Sequence, residues 1–266
     1  ETGRIIGVCE PRYMDTPAIR EGLKAGRIAD MGEATAPNVE MMIDKGAEFV
    51  IVSPFQNSGY GPVEKLGIPI IEGADYMESL PLGRTEWIRF YGMLFGKEAL
   101  ADSIFRQTEK SYLDLKQLVT ADMPRPTVIS EKKFGASWFM PAGDSYIANM
   151  YADAGADYVF KELPGAGSTP LAFETVLDRA IHADMWLIKY NQSEDMTYGD
   201  LRAEYAPYEN FDAFKNRRIY SCNTGLVPYY EEFPLHPDYL LKDLIWVFHP
   251  ELLPGYSPRY YRKMQD

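Results

Sequence analysis

The chain has 266 residues, of which 46% are hydrophobic, 14% aromatic and 25% charged. This composition excludes a disordered chain, a collagen-like repeat and a small disulfide-stapled scaffold, and no apolar run approaches the roughly 20 residues of a membrane helix. With 27 Lys and Arg against 39 Asp and Glu, the formal net charge is −12, which repels nucleic acid and anionic membranes. We therefore expect a globular protein of one large domain or two lobes that has no nucleic-acid partner.

The N-terminal part of the chain alternates short apolar runs with helix signals. Strands are predicted at residues 4–9, 47–53 and 68–72, a helix at 40–45 with Asn38 as its N-cap, and a helical turn at 62–67. Strand, helix and strand in this rhythm predict an α/β lobe with a parallel sheet.

The middle of the chain breaks this rhythm. Apolar residues recur at helical spacing from residue 83 to residue 120, interrupted only by Gly92 and Gly96. One helix of that length would extend about 50 Å, more than a single lobe spans. We predict a connecting spine here, with any bend at Gly96.

The α/β rhythm resumes after the Pro-rich residues 123–126. Strands are predicted at 127–130, 156–160, 185–189 and 218–222, and helices or helical turns at 145–154, 169–181, 211–214 and 237–248. The predicted organisation is an N-terminal lobe over 1–83, a connecting helix over 84–122, a second lobe over 123–234, and a closing helix with a tail over 235–266.

Signals for catalysis or metal binding are weak. The chain has no GxSxG elbow, no Walker loop and no HExxH motif. Gly165-Ala166-Gly167 is similar to a dinucleotide fingerprint, but Pro170 stands at the third glycine position, which favours a tight turn. The scarce metal-ligating residues lie far apart in the sequence: His182, His236, His249, Cys9 and Cys222. We predict no catalytic residue, no metal site and no cofactor.

Aromatic and polar residues follow three of the predicted strands, where open α/β sheets bind their ligands. These candidate ligand-binding residues are Phe55, Tyr60, Trp138, Phe139, Tyr146, Asn223, Tyr229 and Tyr230. Such a wall suits a large ligand with apolar faces. The turn at residues 141–143 is expected to hold Trp138 at the mouth of the site rather than in a core.

Several motifs are spread in order over nearly the whole chain: Tyr76-Met77-Glu78, Pro81-Leu82-Gly83-Arg84, Glu86-Trp87-Ile88, Trp138-Phe139 with Pro141, Ala154-Gly155-Ala156-Asp157-Tyr158, Pro237-Asp238-Tyr239-Leu240-Leu241-Lys242-Asp243-Leu244 and His249-Pro250-Glu251-Leu252-Leu253. Together they resemble the periplasmic substrate-binding proteins of ABC importers for iron complexes and corrinoids. The resemblance implies two Rossmann-like α/β lobes bridged by a long α-helix, the class III periplasmic-binding-protein fold. The first lobe is expected to lack the initial strand and helix that family members carry before the segment matching residues 4–9.

The same resemblance implies a function without catalysis. The protein is expected to be a monomer that captures a metal chelate, an iron–siderophore complex or haem, in a cleft. It would work in the periplasm or anchored outside the membrane, and dock on an ABC importer permease through one exposed glutamate per lobe. The matching positions are Glu174 in the second lobe and, less distinctly, Glu64 in the first.

Three alternatives remain open at this stage. The same fold could bind a corrinoid such as cobalamin, the chain could be an α/β enzyme of unidentified activity, or it could be a scaffold that has lost its ligand. The positions of the histidines disfavour haem ligation by histidine but leave a tyrosine ligand open. Because Lys132 and Lys133 are the only basic residues in the candidate segments, a neutral or weakly charged ligand is favoured.

Overall fold

The computed structural model describes residues 2–54 and 59–266. The chain divides into two compact units, Glu1–Tyr76 and Met77–Asp266. The apolar segment predicted as a connecting helix and the predicted closing helix therefore both belong to the unit that holds the second set of strands.

The first unit consists of short elements. They are β1 (Gly7–Val8), α1 (Pro17–Lys24), β2 (Ala29–Asp30), β3 (Gly32–Glu33), β4 (Ala36–Pro37), α2 (Val39–Asp44), β5 (Val50–Val52) and β6 (Ile70–Glu72), with 3-10 turns at Thr2–Arg4, Pro11–Tyr13 and Gly61–Leu66. β1 pairs with β2 and β5 with β6 in parallel, whereas β3 and β4 form an antiparallel hairpin. The strands predicted at 4–9, 47–53 and 68–72 are thus present, although each is shorter than predicted.

Local sequence explains where α2 begins. The Asn38 side chain accepts a hydrogen bond from the Met41 N–H at 3.0 Å, as an N-cap residue does. Met42 on this helix is buried with Met31 and Val63 in the small core of the unit. The predicted cap at Asn38 is confirmed.

The second unit holds the longer elements. They are α3 (Pro81–Leu94), α4 (Glu98–Lys116), β7 (Thr127–Ser130), β8 (Lys133–Phe134), β9 (Ser137–Pro141), α5 (Tyr146–Asp153), β10 (Asp157–Tyr158), β11 (Ser168–Leu171), α6 (Phe173–Ala180), β12 (Met185–Tyr190), α7 (Tyr198–Glu204), α8 (Asp212–Lys215), β13 (Ile219–Asn223), α9 (Tyr229–Glu232), α10 (Pro237–Phe248) and β14 (Arg262–Lys263). Further 3-10 turns lie at Asp75–Met77, Ala206–Asn210 and Pro250–Leu252.

The segment 83–120 is not one continuous helix: two helices occupy it, and the break falls at Gly96, where a bend was predicted. The chain turns at Gly96, whose φ of 61° is left-handed, and the Lys97 N–H donates to the Gly92 carbonyl at 2.8 Å. α4 then folds back on α3: a Cβ on Gly92 would lie only 2.5 Å from the Ala101 Cβ. Arg89 of α3 also pairs with Asp102 of α4 at 2.7 Å. The glycines that interrupt the apolar pattern therefore make a helical hairpin.

The main sheet has the strand order β10-β7-β12-β13-β14. Its first four strands are parallel, and β14 closes the edge antiparallel to β13. On one face of the sheet, Tyr220 of β13 contacts Trp246 of α10 with ring centroids 6.1 Å apart. On the opposite face, Trp186 of β12 packs against Tyr208 and Phe211. The parallel α/β architecture predicted for this part of the chain is confirmed.

A second, three-stranded antiparallel sheet, in the order β11-β9-β8, was not expected from the sequence. β11 occupies residues 168–171, so the helix predicted over 169–181 begins only at Phe173. Pro170 pairs opposite Phe139 at the edge of this sheet, a position where the missing N–H of proline is tolerated.

The C-terminal tail is held by one buried carboxylate. Asp243 of α10 accepts hydrogen bonds from the backbone N–H groups of Arg259, Tyr260 and Tyr261 and from the Tyr256 hydroxyl, at 2.5 to 2.9 Å. Arg259 in turn pairs with Glu232 of α9 at 2.5 Å. The tail therefore fixes α9, the short helix that begins with Tyr229 and Tyr230.

Candidate functional site

The carboxyl ends of β7, β12 and β13 meet at one edge of the main sheet. In parallel sheets of this kind, ligands lie outside that edge, because loops of different strands converge there. β7 ends at Ser130, β12 at Tyr190 and β13 at Asn223. We call the residues at these ends and in the loops that follow them the carboxyl edge.

A charged pair occupies the carboxyl edge. Lys189 is the penultimate residue of β12, Glu131 follows β7 directly, and the Lys189 Nζ contacts the Glu131 Oε1. Only 15% of the Lys189 side chain and 23% of the Glu131 side chain are exposed. Neither residue was singled out from the sequence, although a lysine in the otherwise apolar run Met185–Tyr190 is an available signal.

The backbone of Glu131 is held in an unusual conformation. Its φ is 65°, in the left-handed region that non-glycine residues rarely adopt. Two hydrogen bonds hold it there: its N–H donates to the Leu187 carbonyl at 2.8 Å, and its carbonyl accepts from the Trp186 Nε1–H at 2.6 Å. β12 therefore fixes both the backbone and the charge of Glu131.

Electrostatics keep Lys189 charged. Burial alone would lower its pKa, but the nearby Glu131 carboxylate outweighs that effect, and the pKa of Lys189 is raised well above its ordinary value. Burial raises the pKa of the neighbouring Tyr229 as well, and it raises the pKa of Tyr151 to about 12. The phenols of Tyr151 and Tyr229 near the pair are therefore uncharged at neutral pH.

Two buried tyrosines, Tyr151 and Tyr261, lie near the charged pair. The Tyr151 hydroxyl donates to the Ser130 Oγ at 3.0 Å. The Tyr261 hydroxyl is fully buried close to Tyr151 and makes no hydrogen bond of ordinary geometry. Polar groups thus continue from the carboxyl edge into the interior on this face of the sheet.

The predicted position of Trp138 at the mouth of a site is wrong. Trp138 is fully buried, its Nε1–H donates to the Ser130 carbonyl at 2.9 Å, and its ring contacts Trp186, with centroids 5.4 Å apart, and Phe211. Because side chains alternate along β9, Trp138 faces the core while Phe139 points outward with 44% of its surface exposed. Trp138 is a core residue.

Three other predicted aromatic residues do come together. Phe233 contacts Tyr146, Tyr229 and Tyr230, with ring centroids 5.4, 4.8 and 6.1 Å away. Tyr229 is buried beside Lys189, Tyr146 is half-buried, and Tyr230 is 62% exposed. We call these four residues the Phe233 cluster. It joins α9 and the residue that follows it to the start of α5, and it adds aromatic side chains beside Lys189.

Asn223 shapes the loop after β13. Its Oδ1 accepts from the Gln192 and Gly225 N–H groups, both at 3.1 Å, and its Nδ2 donates to the Glu194 carbonyl at 2.9 Å. A side chain at Gly225 would meet the Gln192 carbonyl at 2.7 Å, so the two loops approach closely. Asn223 is buried and joins the loops that follow β12 and β13.

Lys132 and Lys133, the basic residues of the candidate segments, both have partners. The Lys132 Nζ pairs with the Glu204 carboxylate, and the Lys133 Nζ lies over the Tyr205 ring at 4.0 Å from its centroid. Lys132 and Lys189 are thus each neutralised by a carboxylate, whereas the positive charge of Lys133 faces an aromatic ring.

In the first unit, Tyr60 and Glu64 lie in the segment that leads to β6. The Tyr60 hydroxyl donates to the Glu72 Oε1, which raises the pKa of Tyr60 to about 12. The exposed Glu64 accepts from the Tyr60 N–H at 2.6 Å. Phe55, another predicted residue of this wall, lies outside the described residues.

Glu174 lies in the first turn of α6 and is exposed. With Leu177, Asp178, Ile181 and His182 it lines a shallow surface groove. His182 is paired with Asp212 at 2.8 Å.

Within residues 2–54 and 59–266, no group of three or more His, Cys, Asp or Glu side chains is arranged to hold a metal ion. No helix in the same part of the chain is long and apolar enough to cross a membrane.

Known proteins resemble this chain in sequence and in fold. The sequence pattern of the family described as Periplasmic binding protein matches residues 16–224. A lipoprotein of uncharacterised function from Methanocaldococcus jannaschii is 29% identical over 250 residues, which are 92% of this chain and 58% of that protein. The chain thus spans less than two thirds of this relative's length. A second uncharacterised lipoprotein of the same organism is 25% identical, over 98% of this chain and 68% of its own length.

Two solved structures show the shared fold. The TroA-like periplasmic binding protein FepB from Veillonella parvula has a TM-score of 0.70 at 17% identity, over 98% of this chain and 87% of its own. IsdE from S. aureus, solved in complex with heme, has a TM-score of 0.65 at 16% identity, over 90% of this chain and 94% of its own. At these identities the structures establish the fold, and the predicted class III fold is confirmed.

The description of this family agrees with the predicted class, a binding protein without a catalytic role that acts outside the cytoplasm. On the match over residues 16–224, this chain belongs to the periplasmic binding protein family.

Proposed function

We propose that this protein captures an iron chelate, a siderophore complex or haem, and delivers it to an ABC importer. The observation that carries the proposal is the carboxyl edge: the aromatic Phe233 cluster lies beside the compensated charges of Glu131 and Lys189. Aromatic faces suit a bulky ligand with flat or apolar surfaces, and compensated charge suits a ligand of low net charge. The heme complex of the fold neighbour IsdE supports a ligand of this size.

Binding of a corrinoid such as cobalamin is the second candidate, because the same aromatic surface suits a flat macrocycle. Native mass spectrometry of the protein with a ferric trihydroxamate, haem and cobalamin separates the candidates. We expect a one-to-one complex of a monomer with an iron chelate, and no complex with the iron-free trihydroxamate. Exclusive binding of cobalamin would favour the second candidate, and binding of none of them would contradict both.

We further propose that Glu174, and Glu64 in the first unit, dock on the permease. Glu174 is exposed at a helix start, where it is available to a basic partner side chain, and Asp178 adds negative charge to the same groove. Glu64 is exposed too, although its carboxylate also accepts the Tyr60 N–H.

Charge reversal at Glu174 tests the docking proposal. Glu174→Arg should abolish uptake of the chelate by cells or vesicles and leave its affinity for the isolated protein unchanged. Glu98→Arg is the matched control, because Glu98 is also an exposed acid in the first turn of a helix of the second unit. Uptake that survives Glu174→Arg would refute this role for Glu174.

A further inference from the structure

The Glu131–Lys189 pair at the carboxyl edge can also influence which ligands bind there. We infer that Glu131 sets the charge preference of the site: by neutralising Lys189, it makes the carboxyl edge accept a chelate of low net charge and discriminate against a strongly anionic one. This inference rests on the proposed function, since it concerns the ligand of the same site.

The surroundings of Lys189 support the inference. Lys189 contacts the Glu131 carboxylate, and the other groups that act on its charge are the protonated phenols of Tyr229 and Tyr151. Glu131 is therefore the one full negative charge among these named neighbours. Without it, a buried ammonium group would face the edge, and a site enclosed by protein strengthens its attraction for an anion.

The conformation of Glu131 supports the inference as well. A glycine or asparagine would adopt a φ of 65° at lower cost. The residue is nevertheless a glutamate, and its backbone N–H and carbonyl are hydrogen-bonded to Leu187 and Trp186 of β12. Strained residues of this kind concentrate at binding and catalytic sites. The strain places a carboxylate where it reaches Lys189.

The neighbouring pair explains why the effect should centre on Glu131. Lys132 follows Glu131 in the chain, but its partner Glu204 belongs to α7 and is 35% exposed, against 23% for Glu131. Water screens charges at such positions more strongly than at Lys189.

The test compares two probes, a neutral ferric trihydroxamate and a strongly anionic ferric tricatecholate, whose affinities are measured by quenching of protein fluorescence. Wild-type protein should prefer the neutral probe. Glu131→Gln should raise the affinity for the anionic probe relative to the neutral one by about tenfold or more. Lys189→Met should shift the ratio in the opposite direction, so either variant alone tests the inference if the other does not fold.

The control is Asp114→Asn, which changes the net charge of the protein as Glu131→Gln does. Asp114 pairs with Lys110 on α4, and both side chains are well exposed. The affinity ratio of this variant should equal that of the wild type. A wild-type protein that binds neither probe, and does not bind haem either, contradicts the proposed function itself. A wild-type protein that binds the neutral probe, with the same ratio in Glu131→Gln, overturns only the charge-preference inference.

Discussion

The two faces of the main sheet differ most where β7 ends, and Ser130 is contacted from both sides. On one side its carbonyl accepts from the Trp138 indole, which packs against Trp186 and Phe211. On the other side its hydroxyl accepts from Tyr151, which lies in the polar surroundings of the Glu131–Lys189 pair. The end of β7 therefore contacts the aromatic core on one face of the sheet. On the other face it contacts Tyr151, next to the Glu131–Lys189 pair.

This difference separates two kinds of aromatic residue that look alike in the sequence. Trp138, Trp186 and Phe211 contact one another, and all are fully buried. Tyr230 of the Phe233 cluster is 62% exposed. A substitution in the first group should change the free energy of unfolding, and one at the exposed Tyr230 should change ligand affinity.

The largest effect is expected for Trp138→Ala. Removing a fully buried indole leaves a cavity and should lower the free energy of unfolding by about 3–5 kcal/mol, measured by urea denaturation. Ligand affinity per folded molecule should change little. Phe139→Ala is the control, since Phe139 is the next residue of the same strand and points outward, and it should cost less than about 1 kcal/mol. Equal stability of the two variants would place Trp138 outside the core.

Lys189→Met should have the next largest effect. The variant leaves a largely buried carboxylate without its partner, which should lower the free energy of unfolding by about 3 kcal/mol. This value is at the lower end of the cost of breaking a buried ion pair, because Glu131 is partly exposed. The double variant Glu131→Gln with Lys189→Met should recover most of this loss, because no unpaired charge remains. Denaturation curves in which the single and double variants coincide would mean that the two side chains do not interact.

The smallest change in stability is expected for Tyr230→Ala. This exposed side chain should contribute less than about 0.5 kcal/mol to the free energy of unfolding, while the affinity for haem or a ferric trihydroxamate should fall by about three- to tenfold. Tyr13→Ala provides the control, because Tyr13 of the first unit is 73% exposed. Equal affinities in the two variants would remove Tyr230 from the site.

The sequence is most informative where a single local pattern determines the outcome. The bounds of β7 and of α10 agree with the prediction, because an apolar run between prolines or turns allows one interpretation. The Asn38 cap is equally local. The helical hairpin of α3 and α4 is different, since Gly96 marks a possible bend in the sequence, but contacts between the two helices, such as the close approach of Gly92 to Ala101, are needed to show that the chain reverses.

The candidate site was harder to predict because it depends on pairing between distant residues. Trp138 and Phe139 are adjacent aromatic residues, and the pairing of β9 with β11 decides which of them faces the core. Glu131 and Lys189 are 58 residues apart, and the pairing of β7 with β12 brings them together. A lysine inside an apolar strand signals a buried charge, but its partner is known only once the strand order is known.

The measurement that tests the central claim most directly is the position of a bound iron atom. Crystals of the protein with a ferric trihydroxamate, measured at the iron absorption edge, locate the metal by its anomalous scattering. We predict an anomalous peak at the carboxyl edge, within one chelate's length of the Lys189 Nζ and next to the Phe233 cluster. A peak on the outward face of Phe139, or in the groove of Glu174, would contradict the assignment of the carboxyl edge as the ligand site.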